Sequence, residues 1–169
     1  NYVPELSVEE NLFLGRLPVN KAGKVDWKRV RREAQRFLAE EGLPYTPDQK
    51  LKTLTVSDIQ MLEIIKAVTN NAQVIIMDEP TSSLTVAETK HLFKIIGRLK
   101  SEGRSIIYIS HKLEEIFEIA DEITIMRDGQ YVGKWAIRDI TIDEVIHQMV
   151  GRNMEERFPP AEDTIQEEV

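Results

Sequence analysis

Two adjacent carboxylates, Asp78 and Glu79, directly follow the short apolar run VIIM at 74–77. Such a run, rich in β-branched residues, predicts a strand buried on both faces in a parallel sheet. The carboxyl ends of those strands are where α/β sheets bind ligands. Asp78 could therefore face a Mg²⁺ ion, which prefers oxygen ligands and bound waters. Glu79 could orient or deprotonate a water for attack on a phosphoryl group. The alternative is a strand exit that carries two solvated acids.

His111 follows a second apolar run, SIIYIS at 105–110. If both runs are parallel strands that end on the same side of one sheet, His111 lies near Asp78 and Glu79. An imidazole at that place could donate a hydrogen bond to a terminal phosphate oxygen. The alternative is a solvent-facing ring beside a helix cap. The three residues together favour phosphate chemistry over either alternative.

The helices that must hold these strands are marked by capping patterns. The sequence predicts one helix that begins after Asp26 and a short helix over 112–119. Asp128 and Gly129 lie between two strand-like runs, which is typical of a hairpin turn. A Ser or Thr followed three residues later by an acid indicates a helix N-terminus, and this pattern occurs at Ser7, Thr55, Thr85 and Thr141.

The predicted elements follow the order helix, helix, strand, helix, strand, helix, hairpin, helix. This alternation predicts an α/β domain with a parallel sheet. The 169 residues fit one domain. A net charge of −7, from 29 acidic against 22 basic residues, counts against nucleic acid as the main partner. The chain has no cysteine, which excludes disulfides and thiolate metal sites.

Two motifs carry a resemblance to a known family. The segment DEPTSSL at 78–84 and the later strand that ends in Ser-His resemble the Walker B strand, D-loop and switch histidine of ABC ATPases. The segment LTVSDIQMLEIIKAV at 54–68 is similar to the signature helix of monosaccharide importers of the ribose, galactose and xylose type, whose single chain carries two ATPase halves. The stretches 6–16 and 149–159 resemble the region after the Q-loop and the end of the first half.

The resemblance covers nearly the whole chain and implies the C-terminal part of a first ATPase half. The expected fold is a partial P-loop NTPase domain, with a parallel-sheet core and part of the helical subdomain. The expected parts are a helical portion with the signature helix at 1–72, an α/β core portion at 73–158, and a tail or linker at 159–169.

The resemblance also implies nucleotide-binding residues in the signature and the D-loop. A helix N-terminus presents N–H groups and a positive dipole end that suit a γ-phosphate, which in the family comes from the opposite ATPase half. The family's two glycines correspond to Val56 and Ser57, and its glutamine to Asp58, so side chains and a negative charge lie where the backbone approaches the phosphate. An ordinary capped helix is the alternative. The implied positions are Leu54, Thr55, Val56, Ser57 and Asp58 in the signature, and Ser83, Leu84 and Thr85 in the D-loop, where Thr85 replaces the usual Asp.

No GxxxxGK[ST] loop occurs in the 169 residues. That loop holds the phosphates of ATP with its N–H groups and its lysine. The family's Q-loop glutamine and base-stacking aromatic residue would precede Asn1, so we interpret the chain as truncated. We expect it alone to bind Mg-ATP poorly and not to hydrolyse it. We also expect an open apolar strand edge beside VIIMD, which invites a homodimer, swapped elements or aggregation.

For the complete protein, the resemblance implies ATP and Mg²⁺ as cofactors. The implied partners are a second ATPase half or another copy, and membrane permease subunits. The implied location of the protein is the cytoplasmic face of the inner membrane. Two alternatives remain open. One is a soluble ABC-type ATPase of translation or DNA repair, which we would expect to have a basic surface or a long coiled-coil insertion. A catalytically silent interaction module is compatible with the degenerate signature.

Overall fold

The structure is a computed structural model that describes residues 2–70 and 72–151. The chain divides into two compact units, 1–111 and 112–169. The three-part organisation expected from the sequence stays a prediction, and its tail at 159–169 lies outside the described residues. No helix within the described ranges is long and apolar enough to cross a membrane.

Besides a short 3-10 helix at Leu51–Thr53, the described residues of the first unit form four α-helices: α1 (Val8–Leu12), α2 (Trp27–Glu40), α3 (Val56–Thr69) and α4 (Val86–Ser101). Each begins at a side chain that accepts a hydrogen bond from the backbone of the first turn, as the sequence predicted. Asp26 caps α2. The other three have complete capping boxes, in which the cap and the third helical residue bond each other's backbone N–H groups; these are Ser7 with Glu10, Thr55 with Asp58, and Thr85 with Glu88.

The sheet of the first unit has two parallel strands, β1 (Val74–Asp78) and β2 (Ser105–Ile109). Asp78 is opposite Ile109 in the register. The helix α4 connects the two strands and packs against β2. The predicted parallel sheet is confirmed, and its carboxyl edge brings together the residues that follow Asp78 and Ile109.

The prediction that both strands are buried on both faces is wrong. Along β1 the burial alternates: Ile75 is 3% exposed, whereas Ile76 is 65% exposed. Ile107, the neighbour of Ile76 in β2, is also exposed. Successive side chains of a strand point to opposite faces, and within the described part of the chain only one face of this two-stranded sheet is covered. An apolar run shows that both faces of a strand are suited to burial. It does not show that other elements cover both faces.

Arginines from two distant segments hold the C-terminal end of α3. Arg16 donates through Nη1 to the carbonyl of Thr69 at 3.2 Å and through Nη2 to the carbonyl of Lys66 at 3.3 Å. Arg104, just before β2, donates to the carbonyl of Val68 at 3.1 Å. The last carbonyls of a helix have no partner within it, and they favour nearby cations. These bonds therefore fix the end of α3 relative to α1 and β2.

The second unit consists of α5 (Leu113–Ile119), the hairpin β3 (Glu122–Arg127) and β4 (Gln130–Ala136), and α6 (Ile142–Val150). The predicted hairpin turn is confirmed. Asp128 and Gly129 both have positive φ, at 52° and 74°, as a type I′ turn requires. Thr141 and Glu144 form the predicted capping box of α6. The core of this unit contains Ile123, Ile125, Ile140 and Val145.

Candidate active site

Glu79 and His111 meet at the carboxyl edge of the parallel sheet. The backbone N–H of Glu79 donates to the carbonyl of Ile109 at 2.9 Å, which extends the β1–β2 ladder by one residue. One oxygen of Glu79, Oε1, accepts the backbone N–H of His111 at 3.1 Å and lies 2.9 Å from His111 Nδ1. The spacing predicted that these residues lie close together, and the structure confirms that proximity.

The backbone of Glu79 adopts a conformation that a side chain rarely accepts. Its φ is +46°, in the left-handed region, which costs about 1–2 kcal/mol for a residue other than glycine. Strained residues of this kind cluster at functional sites. The two residues that follow, Pro80 and Thr81, are buried.

The two oxygens of Glu79 have different surroundings. Oε1 is bonded to His111, whereas Oε2 is buried and has no hydrogen-bond partner among the described residues. An unsatisfied buried acceptor costs about 1–3 kcal/mol, so Oε2 favours a donor such as a water or a ligand. The His111 side chain is 74% exposed and the Glu79 side chain 35% exposed. The pair is therefore accessible to a ligand from solvent.

Asp78 ends β1 and its side chain is exposed. The described residues contain no group of three or more His, Asp or Glu side chains that could hold a metal ion. Mg²⁺ commonly takes only one or two protein carboxylates and completes its shell with waters and phosphate oxygens. One exposed carboxylate beside the Glu79–His111 pair fits that coordination.

The predicted signature residues lie at the start of α3. Thr55 is the cap, and its hydroxyl accepts the backbone N–H of Asp58 at 3.2 Å. Asp58 Oδ2 accepts the backbone N–H of Thr55 at 2.9 Å. Leu54 is half-buried, Ser57 Oγ lies 3.1 Å from Thr55 Oγ1, and Val56 is 70% exposed. Val56 and Ser57 therefore place side chains at the surface around the first turn of the helix.

Sequence reasoning missed Tyr45, which lies between α2 and α3. Its hydroxyl donates to Asp58 Oδ1 at 2.5 Å. Burial, then the hydrogen bond and the charge of Asp58, raise the pKa of Tyr45. Burial alone would raise the pKa of Asp58, but the hydrogen bonds from Tyr45 and Thr55 outweigh burial and lower it. Asp58 is thus an ionised carboxylate with protein donors on both oxygens.

The D-loop residues connect this region to α4. Leu84 donates from its backbone to the carbonyl of Thr81 at 3.2 Å, and Ser83 and Leu84 are half-buried. Thr85 bonds Glu88 Oε2 through its backbone N–H and its hydroxyl, each at 2.7 Å. These two bonds and a further one from Ser57 lower the pKa of Glu88, against burial and the charge of Asp58. The starts of α3 and α4 therefore belong to one hydrogen-bonded cluster.

The predicted site residues consequently lie in two groups within the first unit. Asp78, Glu79 and His111 are at the carboxyl edge of the sheet. The second group surrounds the N-termini of α3 and α4, and it consists of Leu54, Thr55, Val56, Ser57, Asp58, Ser83, Leu84 and Thr85.

The sequence is similar to those of known transport proteins. Residues 1–82 match the ABC transporter family. The chain is 51% identical over 96% of its length to the galactose/methyl galactoside import ATP-binding protein MglA of Clostridium tetani, and 47% identical over its whole length to MglA of Pasteurella multocida. It is 45% identical over 94% of its length to the ribose import ATP-binding protein RbsA of Caldanaerobacter subterraneus. The chain spans about one third of the length of these relatives: 33%, 33% and 32%.

Solved structures show the same fold. A chain of an ABC transporter in an inward-facing conformation aligns with a TM-score of 0.71 at 19% identity, over 86% of this chain and 58% of that one. A dimeric ATP-binding cassette bound to ADP and Pi aligns with a TM-score of 0.69 at 20% identity, over 82% of this chain and 60% of that one. The fold is therefore part of a P-loop NTPase domain of the ABC ATPase type, and residues 1–82 carry an ABC transporter domain.

Proposed function

We propose that this chain is part of an ATP-hydrolysing subunit that powers sugar import across a membrane. The observation that supports the proposal most directly is the Glu79–His111 pair at the carboxyl edge of a parallel sheet. The similarity to galactose and ribose import ATP-binding proteins supports a sugar as the transported substrate.

Glu79 acts on the water that attacks the γ-phosphorus of ATP. Its Oε2 atom, buried without a protein donor, accepts a hydrogen bond from that water and then its proton. The oxygen of the water forms the new bond to phosphorus, and ADP leaves with the electrons of the bond that breaks. His111 holds Glu79 through Oε1, and its exposed ring donates to an oxygen of the terminal phosphate.

Asp78 is the carboxylate for Mg²⁺. When bound, Mg²⁺ neutralises charge on the phosphate oxygens. The exposed carboxylate of Asp78, one residue before Glu79, would hold such an ion. The phosphates themselves need the N–H groups and lysine of a GxxxxGK[ST] loop, which these 169 residues do not contain.

The second group of residues serves the nucleotide of an opposing ATPase half, or of another copy. The hydroxyls of Thr55 and Ser57 lie 3.1 Å apart at the positive end of the α3 dipole. Ser83, Leu84 and Thr85 directly precede α4, and Glu88 of that helix is hydrogen-bonded to both Thr85 and Ser57. The remaining proposed partners are membrane permease subunits, and the proposed location is peripheral, on the cytoplasmic face of the inner membrane. The exposed apolar face of β1 and β2 also allows a homodimer of the 169-residue chain.

Steady-state ATP hydrolysis by the complete protein that carries this sequence tests the proposal. Glu79→Gln keeps the shape of the side chain but cannot take a proton, so we expect kcat to fall on the order of 100- to 1,000-fold, with Mg-ATP binding nearly unchanged. Glu118→Gln is the matched control, because Glu118 is an exposed acid of α5 in the other unit. Equal rates for the two variants would contradict the assigned role and favour a catalytically silent module.

A further inference from the structure

Tyr45 closes a hydrogen-bonded network at the start of α3. Its hydroxyl donates to Asp58 Oδ1 at 2.5 Å, while Thr55 donates its backbone N–H to Oδ2 at 2.9 Å. Both carboxylate oxygens of Asp58 are thereby directed back into the chain. Asp58 is the third residue of α3, and Tyr45 is 13 residues earlier. The capping box is a local arrangement, whereas the Tyr45 contact depends on the tertiary fold.

Two carboxylates belong to the same hydrogen-bonded cluster as two hydroxyls at the start of α3. Thr55 and Ser57 carry the hydroxyls, which lie 3.1 Å apart. The carboxylates are those of Asp58 and of Glu88 in α4, and both hold hydrogen bonds from neighbouring residues. A phosphate group that approaches the hydroxyls meets less repulsion if these carboxylates stay turned toward their own donors.

The chemistry of the Tyr45–Asp58 pair suits this purpose. Tyr45 is a neutral donor, and Asp58 is an ionised acceptor, and such charge-assisted bonds are shorter and stronger than neutral ones. Burial raises the pKa of Tyr45, so the phenol keeps its proton at neutral pH. Without the phenol hydroxyl, Oδ1 would lose this hydrogen bond, and the negative charge of Asp58, still bonded to the Thr55 N–H through Oδ2, would be less compensated beside the two hydroxyls.

We propose that Tyr45 is a positioning residue of the signature surface, which holds the Asp58 carboxylate away from the phosphate that Thr55 and Ser57 face. This inference rests on the proposed function, because it assumes that a nucleotide phosphate binds there. It also implies that the effect of Asp58 on phosphate binding depends on Tyr45. With Tyr45 the charge of Asp58 is directed into the fold, and without Tyr45 the same charge opposes the ligand.

The test is a double-mutant cycle in the complete protein, with the KM for Mg-ATP and kcat measured separately. Tyr45→Phe removes only the hydroxyl, and we expect KM to rise about fivefold through charge repulsion, with kcat changed less. Asp58→Asn removes the charge and should restore a KM near the wild-type value when combined with Tyr45→Phe. Tyr131→Phe is the matched control, because Tyr131 is an exposed tyrosine of β4.

Each outcome separates the two proposals. If the unaltered protein does not hydrolyse ATP, the proposed function is overturned, and the role of Tyr45 with it. If the protein hydrolyses ATP and Tyr45→Phe has the same KM as Tyr131→Phe, only the role of Tyr45 is overturned. If Asp58→Asn fails to correct the KM of Tyr45→Phe, the tyrosine acts through packing rather than through the charge of Asp58, and the positioning role is likewise overturned.

Discussion

His111 is bonded to Glu79 twice, through its backbone N–H at 3.1 Å and through its ring Nδ1 at 2.9 Å, and both contacts use the same oxygen, Oε1. This double contact leaves Oε2 as the buried oxygen that has no hydrogen-bond partner among the described residues. It also leaves most of the imidazole exposed. The arrangement therefore separates the groups that orient Glu79 from the atom proposed to do chemistry.

His111→Ala should lower kcat of the complete protein on the order of 100-fold, because it removes the proposed donor to the phosphate and one of the two hydrogen bonds that hold Glu79 Oε1. The melting temperature should change little, since the ring is exposed. His147→Ala is the control, because His147 is an exposed histidine of α6. Hydrolysis rates and thermal melts of both variants provide the comparison. An unchanged kcat for His111→Ala would contradict a catalytic contribution of the ring.

The 169-residue chain by itself should bind Mg-ATP only at a Kd on the order of 1 mM or weaker. The reason is that the phosphates lack the cradle that a GxxxxGK[ST] loop provides. Calorimetric titration of the isolated chain measures this. Micromolar binding would show that other residues hold the phosphates, and titration of Asp78→Asn and His111→Ala would then test whether the sheet edge contributes.

The stability of the chain should fall as the pH drops below the ordinary carboxyl range. The helix-capping acids have lowered pKa values in the folded chain, mainly because cap residues donate hydrogen bonds to them; for Asp58, these bonds together with that from Tyr45 outweigh the opposing effect of burial. A lowered folded pKa gives stability that is present above the unfolded pKa and lost as the pH falls through the folded pKa. The affected acids are Glu10, Asp58, Glu88 and Glu144.

Urea unfolding between pH 7 and pH 3 measures this loss. Glu144→Gln preserves an acceptor for Thr141 but no longer titrates, so the free energy of unfolding should depend less on pH in this variant. Glu118→Gln removes the same charge from the same unit without touching a cap. If the two variants show the same pH dependence, the capping acids do not cause the loss of stability.

The isolated chain should self-associate through the open side of its parallel sheet. Ile76 and Ile107 are neighbours in the register and both are exposed, and an exposed apolar patch on a sheet face favours association with another chain. Ile76→Lys should shift sedimentation toward the monomer, because a charge on this face opposes burial. Val19→Lys alters a similarly exposed aliphatic residue elsewhere. A monomer for the unaltered chain would contradict the expected association.

Local patterns predicted much of the fold. The capping boxes at Thr55 and Thr85 were correct, because both partners of each box lie within four residues and their chemistry is decided by the first turn of the helix. The prediction of a hairpin at Asp128 and Gly129 was also correct, because two adjacent residues with positive φ define this type of turn.

Features that depend on tertiary partners were missed. The exposure of Ile76 could not be read from its sequence, because an apolar side chain is compatible with either a covered or an open sheet face. The contact between Tyr45 and Asp58 joins residues from separate segments, and no spacing rule connects them. The positive φ of Glu79 was also unexpected, because Glu is not a residue type that favours the left-handed region.

The arginine bonds at the end of α3 have a consequence for how the protein forms during translation. Arg104 follows Val68 by 36 residues, and it supplies a donor for the carbonyl of that residue. Protein synthesis proceeds at about 5–20 residues per second. The ribosome therefore adds Arg104 some seconds after it has completed α3, and until then the Val68 carbonyl lacks this donor. A nascent chain that pauses between these residues would expose an incompletely capped helix to chaperones and proteases.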